Sequence, residues 1–108
     1  MEQTEAKIQQ DIVKYYNNTY CLAHHSPRGL IMSIPNEGKG ELIRTGLLPG
    51  ASDLIVFLPF GGIFFVEVKT PTGKQSDKQK DFEARIKKLG YEYILVRSLE
   101  DFKDQLEV

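Results

Sequence analysis

The chain has one cysteine, no tryptophan, two methionines and no excess of charge of either sign. A lone Cys21 excludes an intramolecular disulfide framework and suits a reducing compartment. The longest apolar runs fall far short of a membrane span, and no charged n-region followed by an apolar h-region opens the chain. The expectation is an intracellular, cytoplasmic and soluble protein with no membrane partner. Lys and Arg number 14 against 15 Asp and Glu, a formal net charge of −1, so the molecule as a whole does not announce a polyanion partner. The balance is uneven, however. The stretch from Lys69 to Lys88 carries about +4 while the chain from Glu100 onward is acidic, so one face can meet a polyanion.

What is present is an ordinary globular composition, 41% hydrophobic and 27% charged over 108 residues, which reads as one domain spanning 1–108. A chain of this size buries roughly 65% of its unfolded surface. Thr4 as N-cap and the stripe of Ile8, Ile12 and Tyr15 or Tyr16 predict a helix over about 4–16. Leu30 to Ile34 reads as a strand, with Tyr20 to His24 as a candidate partner. Pro35 to Gly40 is loop by its Pro, Asn and Gly content, and Arg44 to Gly50 a second flexible piece. Leu54 to Leu58 and Ile63 to Lys69 read as strands joined by a turn at Pro59-Phe60-Gly61-Gly62. The second has apolar residues on both faces, as a central strand covered on both sides would. Ser76 opens a helix with Phe82, Ile86 and Leu89 on one stripe, and Gly90 stops it. Tyr91 to Val96 is a further strand, and Ser98 to Leu106 an amphipathic helix. This order predicts an α/β fold in which helices flank a mixed central sheet.

Within that frame the ionisable residues of the two central strands stand out. Removing a charge from water costs several kcal/mol unless a partner or ion compensates. Even so, Asp53 opens one apolar run and Glu67-Val68-Lys69 closes the next. Side chains two apart on a strand share a face, so Glu67 and Lys69 point the same way. Asp53 and Glu67 are equidistant from Phe60, so a symmetric turn sets the carboxylates opposite each other, with Cβ atoms about 5 Å apart. At an effective dielectric of about 20 such a pair repels by about 3 kcal/mol. Lys69 offsets part of this, and a hard divalent cation, Mg²⁺ or Mn²⁺, offsets it better. The chemistry implied is phosphodiester hydrolysis, with Lys69 positioning water and neutralising charge in the transition state.

Other residues divide more evenly between structure and site. Gln79 completes a capping box with Ser76, yet shares the stripe that faces the sheet near Lys69. Glu5 suits the helix dipole as a first-turn acid, yet precedes Ile8 on the buried stripe. Lys74, Lys78 and Lys80 form either a solvated helix face or phosphate contacts. Asn36, Lys39 and Arg44 occupy loops within reach of DNA. His24 and His25, beside Cys21, lack the second ligand pair that a zinc finger needs.

Asp53 in Gly50-Ala51-Ser52-Asp53-Leu54-Ile55, then Glu67-Val68-Lys69, then the helix bearing Gln79, resembles the PD-(D/E)XK nuclease superfamily. More narrowly it resembles the virus-type replication-repair nuclease (VRR-NUC) domain, over nearly the whole chain. Ser52 stands where the superfamily pattern has proline, a position that shapes backbone and carries no chemistry. The resemblance implies the restriction-endonuclease-like fold. It also implies metal binding by Asp53, Glu67 and the backbone carbonyl of Val68, with Glu5 near the metal, Lys69 as the catalytic lysine and Gln79 near the site. Members standing alone at this size resemble homodimers acting on branched DNA such as four-way junctions, whereas the same domain fused in larger repair proteins cuts flaps. The expectation is a Mg²⁺- or Mn²⁺-dependent, structure-selective DNA endonuclease, a homodimeric Holliday-junction resolvase. The alternatives are a flap or nicking nuclease on the same site, a non-cleaving DNA-binding module, or a small phage or mobile-element interaction protein.

Overall fold

The computed structural model describes residues 3–36 and 40–106. The chain runs α1 (Glu5–Tyr20), β1 (Leu30–Ser33), α2 (Glu41–Arg44), β2 (Leu54–Phe57), β3 (Ile63–Val68), α3 (Asp77–Lys88), β4 (Glu92–Val96) and α4 (Leu99–Leu106). The four strands form one sheet in sequence order. β1–β2 and β2–β3 are antiparallel, whereas β4 lies parallel to β3, reached by the α3 crossover. β3 is therefore interior, and the sheet is mixed as expected.

Alternation along β3 sorts the two faces. Phe64, Val66 and Val68 join Ile8, Ile12 and Tyr16 of α1, Leu54 and Val56 of β2, and Phe102 and Leu106 of α4 in one core. Phe65 packs on the opposite side, against the smaller cluster of Ala51, Phe82, Ile86 and Tyr93 beneath α3. Glu67 and Lys69 share the parity of Phe65 and so face α3.

Local signals set most boundaries. The Thr4 hydroxyl accepts the Lys7 amide at 3.1 Å as N-cap of α1. Ser76 and Gln79 form the expected capping box. α3 ends in a Schellman arrangement, Tyr91 N–H to Ile86 O at 3.1 Å and Gly90 N–H to Lys87 O at 3.0 Å, with Gly90 at φ +92°.

Two sequence-based expectations are corrected. Tyr20 to His24 is not a strand partner of β1: α1 continues to Tyr20, and β1 pairs with β2 instead. Packing overrides the weak helix formers Asn17, Asn18 and Thr19, because the Tyr20 ring lies 5.0 Å from that of Tyr16 and 6.5 Å from that of Tyr15. A short helix, α2, also forms between the two stretches read as loop and takes in Arg44 from the second, with Leu42 and Ile43 exposed.

Candidate active site

The β2–β3 ladder begins at Leu54 opposite Val66. One step further along the same register, Asp53 stands opposite Glu67, as the hairpin centred on Phe60 requires. The Asp53 carboxylate reaches across: Oδ2 accepts the Val68 N–H at 2.7 Å, and Oδ1 accepts the Asn36 amide at 3.3 Å. That same Asn36 amide donates to the Ala51 carbonyl at 2.9 Å. Asn36, expected to touch DNA, thus has its amide occupied inside the molecule.

Glu67 is 1% exposed. Its Oε2 accepts the Gln79 side-chain amide at 2.9 Å, and its Oε1 accepts the Tyr93 hydroxyl at 3.3 Å. Burial, and after it the neighbouring Asp53 carboxylate, push the Glu67 pKa up to about 8, against the smaller opposing pull of Lys69 and Tyr93. Lys69, 9% exposed, holds its ammonium 4.0 Å from Glu67 Oε2.

Gln79 has two roles at once. In the capping box its Oε1 accepts the Ser76 N–H at 2.8 Å, which leaves the amide NH₂ to face Glu67. The helix cap thereby chooses the amide's orientation. Behind Tyr93 lies Gln75, whose amide donates to the tyrosine oxygen at 3.1 Å and to Glu83 Oε1 at 3.0 Å. Burial first and the Glu67 charge second raise the Tyr93 pKa, so the hydroxyl keeps its proton. The turn after Lys69 is clamped by Arg97, whose guanidinium donates to the carbonyls of Thr70 at 2.6 Å and Gly73 at 2.8 Å.

Asp53, Glu67, Lys69 and Gln79 therefore converge, and Val68 meets Asp53 through its N–H. Glu5 does not join them: it is exposed in the first turn of α1, a helix that packs on the other face of the sheet. Among the described residues no group of three His, Cys, Asp or Glu side chains comes together. Lys74, Lys78 and Lys80 are exposed, Lys74 after β3 and the others on the first turn of α3. Lys39 lies outside the described residues. His24 and His25 stack on each other, ring centroids 4.6 Å apart. Sequence reasoning missed Tyr93 and the tie from Asn36 to Asp53. For Tyr93 a signal existed, since a tyrosine facing inward from an apolar strand needs a polar partner.

The donor set suits a hard cation. The Asp53 and Glu67 carboxyl groups stand together, Glu67 buried and Asp53 half-buried, and the Lys69 ammonium is 4.0 Å from Glu67 Oε2. Mg²⁺ characteristically binds through one or two carboxylates and keeps several waters.

A family model described as the VRR-NUC domain matches residues 3–100. A solved structure described as a VRR-NUC domain is 26% identical and superposes with a TM-score of 0.69, covering 96% of this chain and 96% of its own. A second, described as a VRR-NUC domain protein, shares 15% identity at a TM-score of 0.76, covering 98% of this chain and 87% of that one, a likeness of fold. The mixed sheet flanked by helices is the PD-(D/E)XK type of architecture. No curated protein matches.

Proposed function

This chain belongs to the VRR-NUC family of nuclease domains, and from that premise we propose a Mg²⁺- or Mn²⁺-dependent, structure-selective DNA endonuclease acting as a homodimeric Holliday-junction resolvase. The observation that carries the proposal is the acid pair, buried Glu67 opposite half-buried Asp53, with Lys69 beside it. In this reading Asp53, Glu67 and the Val68 carbonyl would hold the ion, which would supply polarisation of a phosphoryl oxygen and a lowered pKa for its water.

The chain's own groups do the remainder. The Lys69 ammonium orients the attacking water and neutralises charge that builds on the phosphoryl oxygens. Gln79 keeps Glu67 Oε2 in place, and Asn36 does the same for Asp53 Oδ1. Lys74, Lys78 and Lys80 contact phosphates without reading bases, so binding weakens steeply with salt. Opposed cuts in a four-way junction need two such sites, hence the dimer.

A labelled four-way junction, a flap and a linear duplex incubated with Mn²⁺ test the proposal. Wild type is expected to cut the junction. Asp53→Ala and Lys69→Ala are each expected to lose at least about 100-fold in rate, of the order that removal of one preorganised transition-state contact costs. No metal-dependent cleavage of any substrate would sink the enzyme reading, and cleavage untouched by Asp53→Ala would sink the site. A protein that stays monomeric at micromolar concentration and cuts only flaps would replace the resolvase with a flap nuclease.

A further inference from the structure

Beyond the acids and the lysine, a polar chain runs from Glu83 through Gln75 and Tyr93 to Glu67. Glu83 is a carboxylate held to the Lys87 ammonium at 2.6 Å, so it only accepts. The Gln75 group facing Glu83 Oε1 must then be the amide NH₂. That NH₂ also faces the Tyr93 oxygen, so the tyrosine oxygen accepts there and its own proton is left for Glu67 Oε1. Tyr93 is 6% exposed, and its ring lies 6.2 Å from that of Phe82 in the cluster with Ala51 and Ile86, which restrains the hydroxyl.

Glu67 is thus held from two elements, Oε2 by Gln79 of α3 and Oε1 by Tyr93 of β4. Gln75, from the connection before α3, aims the second donor. A buried tyrosine needs a single partner, which a backbone carbonyl supplies as well as any. Here the partner is the acid of the site, and the tyrosine is itself oriented from behind.

We infer that Tyr93 and Gln75 are positioning residues: they fix the rotation of the Glu67 carboxylate so that it is ready for a divalent ion. This rests on the reading of Asp53 and Glu67 as the metal-binding pair. Groups that hold a ligand by hydrogen bonds from behind commonly change metal affinity about 10- to 100-fold when removed.

Mn²⁺ binding measured by calorimetry and electron paramagnetic resonance, without DNA, separates positioning from packing. Tyr93→Phe keeps the ring and removes the proton; Mn²⁺ affinity is expected to fall about tenfold. Gln75→Leu leaves Tyr93 in place but free to turn toward Glu83, and a smaller fall of about threefold is expected. For both variants, cleavage lost at low Mn²⁺ should return as Mn²⁺ is raised. Wild-type Mn²⁺ affinity in both folded variants, even with a lowered melting temperature, overturns the inference. If Tyr93→Phe does not fold, half-buried Gln75 decides alone. Asp53→Ala is the control: wild-type Mn²⁺ binding that is absent, or indifferent to Asp53→Ala, overturns the metal reading itself, whereas normal wild-type binding with unaltered variants overturns only the relay.

Discussion

In water a glutamic acid gives up its proton near pH 4.5, but Glu67 has lost its water and gained Asp53 as a neighbour, and its pKa is pushed up to about 8. Between those two values the folded protein binds a proton that the unfolded chain has released. Because ∂ΔG/∂pH follows protons bound unfolded minus folded, stability falls as pH rises through this window. The metal-free protein should therefore melt at progressively lower temperature from pH 5 to pH 8. Glu67→Gln, neutral throughout, should flatten that slope and raise the melting temperature at pH 8. Mn²⁺ should restore wild-type stability at pH 8 but not that of Glu67→Gln, since an ion stabilises only the state it binds. A slope unchanged in Glu67→Gln would show that some other group produces it. At this scale the sequence was legible where parity governs: Asp53, Glu67 and Lys69 follow from alternation and a symmetric turn, and Gln79 from its helix stripe. Tyr93 was legible only as an inward tyrosine in need of a polar partner; that the partner is Glu67 was not, because the register of a strand reached by a crossover is not written in its local sequence. Asn36 was not either, because an asparagine in a loop reads as turn chemistry.

Among the elements, the approach of the loop before β2 to the first turn of α3 matters most, since one carries Asp53 and the other Gln79. Gly50 makes the approach possible. It adopts φ +91°, and a Cβ there would lie 2.6 Å from the Lys78 backbone carbonyl and 2.8 Å from the Lys78 Cβ. Gly50→Ala is expected to cost about 1–3 kcal/mol, read as a lower urea midpoint. Gly61→Ala supplies the comparison: its φ is +98°, but nothing lies within 4 Å of its added Cβ, so it carries backbone strain alone. Equal losses in the two variants would refute the close-packing account. Caps and stops were legible, since Thr4, Ser76 and Gly90 act by chemistry within a few residues. α1's extra turn to Tyr20 was not, because tyrosine–tyrosine contacts, and not helix propensity, hold it.

For the molecule as a whole, the mixed sheet was readable from the order of elements, and the burial of β3 from its two apolar faces. The pairing of β1 with β2 was misread because nothing in a short apolar run names its partner. The pairing scheme also bears on time. The Asp53 carboxylate and the Val68 N–H are 15 residues apart and meet by closing one hairpin, while Tyr93 is 26 residues from Glu67 and arrives only after the crossover. Because short loops close at lower entropic cost, the acids are expected to meet early, while still hydrated, and the drying of Glu67 to come late. In rapid-mixing kinetics, Val56→Ala should mainly slow folding and Tyr93→Phe mainly speed unfolding; the reverse pattern would contradict this order. The chain would then assemble its reactive carboxylates in water and strip that water away as its last act of folding.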